Sequence, residues 1–162
     1  MRSSNRTVMI TGAAGNLGRA VANAFAKLGA NLVLVDLRRE SLEQAFGAQN
    51  ERRLLIAIDL LDQAQVGVAV NAAIERFGRI DVLCNLAGGF RMGEPVHATS
   101  DESFAFLFAI NVLTLLHTAR AVAPRMIAAG AGKLVNVGQY PAQRVTWRVG
   151  PYCAAKVSGM RL

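Results

Sequence analysis

Cysteine is scarce in this chain, with only Cys84 and Cys153 among 162 residues. Two cysteines are too few for a disulfide framework. Neither stands in a Cys-x-x-Cys pair or beside a histidine, so the sequence predicts no metal site. Both are expected to be small packing residues.

The sequence also shows no signal peptide and no excess of acidic residues. No apolar run reaches the roughly 18 residues that a membrane span requires, and residues 1–6 lack the apolar stretch of a signal peptide. The 11 acidic residues are outnumbered by 18 basic ones, but the longest basic runs are two Arg-Arg pairs. Because nucleic-acid binding needs clustered charge, we expect a cytoplasmic protein with no membrane partner and no nucleic-acid partner.

What the chain does contain is a strict alternation of short apolar runs and longer stretches with helical spacing, which is typical of a parallel α/β sheet. A long apolar helix is predicted from about residue 100 to 129. The whole chain, 1–162, is predicted to form one domain, a doubly wound parallel sheet (a Rossmann fold) with its first turn at the topological switch point. The predicted strands are residues 7–11, 31–35, 54–58, 80–84 and 134–137.

A glycine-rich turn follows the first predicted strand and opens a helix. Glycine there allows main-chain N–H groups to approach a pyrophosphate, and the helix N-terminus favours the anion. An ordinary tight turn between a strand and a helix is the alternative. No Gly-Lys-Ser/Thr follows, which excludes a P-loop for nucleoside triphosphates. The predicted dinucleotide-binding residues of this turn are Gly12, Gly15, Asn16, Leu17 and Gly18.

An acidic residue closes each of the next two strands. Asp36 is placed to bind the adenosine ribose hydroxyls and to repel the 2′-phosphate of NADP. Arg38 and Arg39 soften that preference if they face the ribose, but we expect them to be solvated and favour NAD over NADP. Asp59, followed by Leu60, is placed to meet the adenine edge, although Asp59 could equally cap a helix.

Tyr152 and Lys156 are four residues apart at the start of a helical pattern, so both project from one face. A free phenol has a pKa near ~10, and a neighbouring ammonium would lower it. Tyr152 could then exchange a proton with a carbonyl or alcohol. A tyrosine and a lysine at this spacing are a weak signal alone, and a stronger one after a dinucleotide-binding turn.

With these motifs, the chain resembles the short-chain dehydrogenase/reductase family. The glycine turn is similar to the family's cofactor turn. Asn85-Leu86-Ala87-Gly88 resembles its Asn-Asn-Ala-Gly segment, and Tyr152-Cys153-Ala154-Ala155-Lys156 resembles its active-site signature. Asn111 falls where the family places a catalytic asparagine. The cofactor-binding set that the resemblance adds is Asn85, Ala87, Gly88, Tyr152 and Lys156.

The resemblance implies an NAD(P)-dependent oxidoreductase that interconverts a carbonyl and an alcohol, with Tyr152 as general acid/base. Lys156 would bind the nicotinamide ribose and tune the tyrosine, and Asn111 would hold a water in a proton relay. A buried amide bonded to its own helix is the alternative for Asn111.

The sequence departs from the family at one catalytic position. The family's serine lies thirteen residues before the tyrosine, where this chain has Gln139. Its amide is a candidate substitute donor. Because the family usually continues for two more strands, the C-terminal strands are expected to be missing. A non-catalytic or truncated dinucleotide-binding remnant is therefore the alternative function.

The remaining expectations concern partners and the substrate pocket. The resemblance implies a homodimer or homotetramer formed through the helices at 101–129 and 151–162. Residues 89–100 and 140–150 are expected to line the pocket of a small-molecule substrate. His97 and His117 show no partner in the sequence and are interpreted as structural or surface residues.

Overall fold

The computed structural model describes residues 5–138 and 147–162. Five strands alternate with helices, close to the predicted bounds. The strands are β1 (Thr7–Thr11), β2 (Asn31–Asp36), β3 (Arg53–Ala57), β4 (Val82–Asn85) and β5 (Lys133–Asn136). The helices are α1 (Asn16–Lys27), α2 (Arg39–Phe46), α3 (Gln63–Phe77), α4 (Asp101–Phe108), α5 (Thr114–Ala128) and α6 (Gly150–Gly159).

The strands form one parallel sheet in the order β3-β2-β1-β4-β5. The chain therefore winds outward from β1 in both directions, which confirms the predicted doubly wound fold. Thr11 is level with Val35 on one side and with Asn85 on the other. The turns after β1 and β4 consequently meet at one edge of the sheet, at the topological switch point.

Both faces of the sheet are covered at β1, β2 and β4, as parallel sheets require, whereas the edge strand β5 is largely exposed. Every residue of β1 is buried, and its side chains alternate between two apolar clusters. Met9 packs with Val66 of α3 and Val122 of α5. Val8 and Ile10 lie in the opposite cluster, which α1 and α2 help to close.

The long predicted helix is present but contains an irregularity that the sequence did not reveal. Between α4 and α5, residues Ala109–Leu113 form a π turn, in which the Thr114 N–H donates to the Ala109 carbonyl five residues earlier. The side chains of Asn111 and Thr114 donate to the carbonyls of Leu107 and Ile110, each four residues earlier. These side-chain bonds compensate for the widened backbone turn.

By length and composition the helix from Asp101 to Ala128 could cross a membrane, although the sequence reading found no such stretch. Its most apolar window is 44% buried within the protein. The buried side carries Asn111, His117 and Thr118 in addition to apolar residues, and it packs on the sheet. The structure therefore uses this segment as a core helix.

A buried polar cluster ties this helix to the sheet below the switch point. The Thr118 hydroxyl donates to Asn85 Oδ1 at 2.7 Å, and Asn85 Nδ2 donates to Asn136 Oδ1 at 3.0 Å. Thr118 is fully buried and Asn85 nearly so. The three residues lie on α5, β4 and β5, so the cluster fixes the end of β4 from two directions.

Thr118→Val is expected to lower the free energy of unfolding by about 1–3 kcal/mol, because it leaves the Asn85 carbonyl oxygen buried without its donor. Urea denaturation measures the change. Thr114→Val on the same helix is the matched control, since its hydroxyl bonds only to its own helix. Equal effects of the two variants would contradict the role assigned to the cluster.

Candidate cofactor and active site

The glycine turn after β1 is so tightly packed that two of its glycines leave no room for a side chain. A Cβ on Gly18 would lie 2.6 Å from the Ala13 carbonyl oxygen and closer still to that of Gly12. At Gly12, where φ is +63°, a Cβ would lie 2.9 Å from the Ala87 main chain. Gly15 is less restricted, because its Cβ would lie 3.3 Å from the nearest atom. The turn thus brings the start of α1 directly against β1.

The start of α1 is open to an anion. Gly15 is its N-cap and supplies no side-chain bond to the first turn, which contains no acidic residue. The N–H groups of a helix's first turn and the positive end of its dipole favour negative charge. This geometry fits the phosphates of a dinucleotide.

A cleft of about 710 Å³ opens over this turn at the edge of the sheet where the strands end. Ten of the sequence-predicted cofactor residues line it: Gly12, Gly15, Asn16, Leu17, Gly18, Asp36, Asp59, Leu60, Ala87 and Gly88. Asn85 is placed differently, because both ends of its amide are engaged by Asn136 and Thr118. Further lining residues that the sequence reading did not assign are Ala14, Leu37, Ser41, Ile58, Leu61, Leu86, Ile110 and Thr114.

Asp36 is held in the wall of the cleft by two main-chain donors. Its Oδ2 accepts from the Ala14 N–H at 2.9 Å, and its Oδ1 accepts from the Leu37 N–H at 2.8 Å. A carboxylate can accept about four hydrogen bonds, so capacity remains for ribose hydroxyls. Arg39 points elsewhere, to Glu43 and the Leu55 carbonyl, whereas the exposed Arg38 lines the cleft.

The loop after β3 forms the far end of the cleft, and its main chain is almost fully bonded. Asp59 Oδ1 accepts from the Leu61 N–H at 2.8 Å, so Asp59 organises its own loop instead of capping α3. Asp62 caps α3 through the N–H groups of Ala64 and Gln65, and these bonds lower the pKa of its exposed carboxyl.

At the other end of the cleft, Gly88 is the point where Asn111 and Lys156 converge. A Cβ on Gly88 would lie 2.6 Å from Asn111 Oδ1 and 3.2 Å from Lys156 Nζ. Asn111 is buried in the π turn; its amide exchanges hydrogen bonds with the N–H and carbonyl of Gly89 and also donates to Leu107. The bond to its own helix is thus present, together with a tie to the loop after β4.

Lys156 reaches this point from α6, where Gly159 packs close to the Asn111 carbonyl oxygen. Lys156 Nζ lies 3.5 Å from the Val137 carbonyl oxygen and 5.9 Å from the centre of the Tyr152 ring. Burial lowers the pKa of Lys156. The lysine and the tyrosine therefore lie on one side of α6, as their spacing predicted.

The environment of Tyr152 differs from the sequence expectation in one respect. The side chain is buried, and burial raises its pKa, with a smaller contribution from the charge of Cys153. The expected lowering by Lys156 is therefore wrong for this structure, in which loss of solvation is the main influence on the phenol. Phe90 stands edge-to-face against the Tyr152 ring at 5.0 Å, a contact that the sequence reading did not identify.

Three other expectations have different outcomes. Gln139 lies outside the described residues, as does most of 140–150. His97 is exposed in a short 3₁₀ turn, as a surface residue would be. His117, in contrast, is buried and bonded to the cleft loop at Leu60. His117 and Leu60 are 57 residues apart in sequence, so only the three-dimensional structure reveals this contact.

Gly18→Ala is expected to destabilise the chain by about 1–3 kcal/mol, since its methyl group would overlap main-chain atoms that cannot move independently. Thermal or urea unfolding measures the loss. Gly15→Ala, three residues away, is the matched control and is expected to change stability by less than about 1 kcal/mol. A Gly18→Ala protein as stable as the control would show that the turn is looser than described.

Comparisons with known proteins identify the family of the chain and support its fold. The sequence model of the short chain dehydrogenase family matches residues 6–162. The chain is 36% identical to a sorbitol dehydrogenase of Cereibacter sphaeroides over 100% of this chain and 63% of that protein. It is 34% identical to a galactitol 2-dehydrogenase of Agrobacterium fabrum, over 98% of this chain and 62% of the relative.

Solved structures give the same result. An NAD+-bound xylitol dehydrogenase superposes with a TM-score of 0.91 at 28% identity, covering 98% of this chain and 62% of that one. The chain thus spans somewhat less than two thirds of the length of these proteins. With the family match over nearly all of its residues and the cleft, Tyr152 and Lys156 in place, the chain belongs to the short-chain dehydrogenase family.

Proposed function

We propose that this chain carries the cofactor-binding and proton-transfer residues of an NAD(H)-dependent oxidoreductase that interconverts a carbonyl and an alcohol. The observation that carries the proposal is the convergence at Gly88, where the cofactor cleft meets Lys156 and Asn111. The same helix that supplies Lys156 supplies Tyr152. A cofactor held in the cleft would therefore extend toward the one phenol that the described site contains.

The cleft fits a dinucleotide in three ways. The glycine turn and the open N-terminus of α1 suit the phosphates, Asp36 suits the adenosine ribose, and Asp59 with Leu60 forms the far wall where adenine would lie. We favour NAD because the Asp36 carboxylate would repel a 2′-phosphate, while Arg39 is engaged elsewhere. The NAD+-bound state of the similar xylitol dehydrogenase supports this preference.

The bound nicotinamide would supply or accept the hydride. The chain's own contribution is the proton: the Tyr152 hydroxyl donates to the carbonyl oxygen during reduction, or accepts from the alcohol during oxidation. Burial keeps the phenol protonated at neutral pH, which suits the donating role. The Lys156 ammonium lies between the Tyr152 ring and Gly88 and places a positive charge there. Asn111 fixes the loop after β4, which closes this end of the cleft.

The relatives suggest which compounds to assay first. Sorbitol, galactitol and xylitol, for which the similar dehydrogenases are named, are polyols with hydroxyl groups that such a site could oxidise. The proposed homo-oligomer, formed through the helices at 101–129 and 151–162, is supported by apolar side chains exposed on the first of them. These are Phe104, Phe106 and Ile127.

Asp36→Ala is expected to weaken NADH binding about tenfold or more, because it removes charge-assisted hydrogen bonds to the ribose. NADPH binding should improve, since the repulsion is lost and Arg38 lines the same part of the cleft. Titration with each cofactor, followed by nicotinamide fluorescence, measures both changes. Glu40→Ala, an exposed acid on α2, is the control and should leave both affinities unchanged.

The results also separate the proposed enzyme from its alternatives. Wild-type chain that binds neither cofactor, though folded, would contradict the proposal. An Asp36→Ala variant with the wild-type preference would contradict the assignment of the ribose site. Saturable NADH binding without turnover of any carbonyl or alcohol would favour the non-catalytic remnant.

The raised pKa of Tyr152 predicts how the rate depends on pH. The group stays protonated until pH exceeds its raised value, so carbonyl reduction should be flat through neutral pH. Alcohol oxidation needs the deprotonated form and should rise about tenfold per pH unit between about pH 6 and pH 9. Initial rates in both directions, for any substrate that is turned over, provide the measurement.

Tyr152→Phe is the control for the pH prediction. It should abolish both directions of the reaction, because the lost hydroxyl is the proton donor and acceptor, while saturable NADH binding is retained. An oxidation rate that reaches its plateau near neutral pH would mean that the phenol's pKa is lowered in the working protein, contrary to this structure.

A further inference from the structure

We propose that His117 is a positioning residue for the adenine end of the cofactor cleft, where it holds the Leu60 carbonyl through Nδ1. The inference rests on the proposed cofactor function. It assigns a role to a buried histidine that the proton-transfer chemistry does not use.

His117 lies on the buried side of α5, with only 8% of its surface exposed. Its Nδ1 is 2.9 Å from the Leu60 carbonyl oxygen. Its Nε2 is 3.3 Å from the side-chain nitrogen of Gln63, the first residue of α3. The ring therefore joins α5 to the loop between β3 and α3, which forms one wall of the cleft.

The network determines which ring nitrogen carries the proton. Arg120 Nη1 lies 3.2 Å from Gln63 Oε1, and a guanidinium can only donate. The oxygen of Gln63 must therefore face Arg120, which turns its NH₂ group toward His117. Because that group donates, Nε2 accepts, and in the neutral ring the hydrogen lies on Nδ1, where it donates to Leu60.

In the loop between β3 and α3, the Leu60 N–H is the one main-chain donor for which the described residues provide no acceptor. The loop's other N–H groups are accepted inside the chain: Ile58 by the Asp36 carbonyl, Asp59 by Gln65, Leu61 by Asp59 Oδ1 and Asp62 by the Asp59 carbonyl. Among the described residues, none accepts from the N–H of Leu60. Leu60 is buried at 7% exposure and lines the cleft.

A main-chain N–H at the wall of a cleft that has no acceptor within the protein can donate to a bound ligand. A ring nitrogen of adenine is such an acceptor. The Leu60–Leu61 peptide is fixed at both ends, by His117 at its carbonyl and by Asp59 at its N–H. Holding this peptide limits how far the neighbouring Leu60 N–H can turn away from the cleft, and in this way His117 would act on the ligand.

The experiment compares His117→Leu, which removes the donor, with His117→Asn, whose side-chain nitrogen can lie near the place of Nδ1. His97→Leu, at an exposed histidine, is the control. Calorimetry of the 162-residue chain measures the affinity for AMP, which carries the adenine half, and for reduced nicotinamide mononucleotide, which carries the other half.

His117→Leu is expected to weaken AMP binding about five- to tenfold, the range for loss of one buried hydrogen bond. Binding of the nicotinamide mononucleotide should stay within about twofold, and His117→Asn should recover most of the AMP affinity. Unchanged AMP affinity in His117→Leu would overturn the proposal. So would an equal loss of both affinities without recovery in His117→Asn, since that pattern means a general structural role.

A wild-type chain that binds neither nucleotide refutes the cofactor function and with it a role toward adenine. Hydrogen exchange of the unliganded protein then tests the remaining claim, that His117 stabilises the loop between β3 and α3. The amides of Leu61 and Asp62, which are bonded to Asp59, should exchange about fivefold faster or more in His117→Leu and recover in His117→Asn. Unchanged exchange overturns that part too.

Should His117→Leu fail to fold, Gln63→Leu replaces it. This variant leaves the ring in place but removes the group that selects its tautomer. It is expected to weaken AMP binding about two- to threefold, and an unchanged AMP affinity would overturn the proposal.

Discussion

The site depends on the contact between the turns that follow β1 and β4. Gly12 approaches Ala87 so closely that no side chain fits between them. The Thr11 hydroxyl accepts from the N–H groups of Leu86 and Ala87, both at 3.1 Å. These two turns follow strands that are neighbours in the sheet, and their bonded residues are 75 and 76 positions apart in sequence. Their contact places the cofactor turn beside the segment that leads to Gly88.

Two sets of polar side chains support this contact, one at Asn85 below it and one at Asn111 beside it. Beneath it, Asn85 accepts from the Thr118 hydroxyl and donates to Asn136, so both ends of the Asn85 amide are bonded. Asn111 then fixes the loop after β4 from the side of the helix. Gly88 can therefore be approached by both a ligand and Lys156, because the surrounding main chain is already bonded and cannot collapse onto it.

The order of the elements and the glycine turn after β1 could be predicted because they depend on local signals. Alternating apolar runs determine strands and helices, and the glycines at 12 and 18 stand where any Cβ would collide. The balance of solvation at Tyr152 could not be predicted, since it depends on burial by distant segments such as Phe90. His117 was interpreted as partnerless for the same reason: its partners are on a loop far away in the sequence.

The π turn was missed because it disturbs the periodicity from which helices are read. Buried positions Leu107, Asn111 and Leu115 are each four residues apart, so two turns take eight residues where an α-helix takes about seven. The phase of the apolar face shifts at that point. Averaged over the whole helix, such a pattern looks apolar on all sides, although Phe104, Phe106 and Ile127 are exposed.

The same turn makes the helix sensitive to length as well as to composition. Loss of a single residue from Ala109–Leu113 would allow an ordinary α-helix, in which each following side chain moves around the axis by about 100°. Either α5 would leave its place on the sheet, or Asn111 would swing away from Gly89. A one-residue deletion would therefore disconnect the half of this helix that packs on the sheet from the half that holds the loop at Gly89.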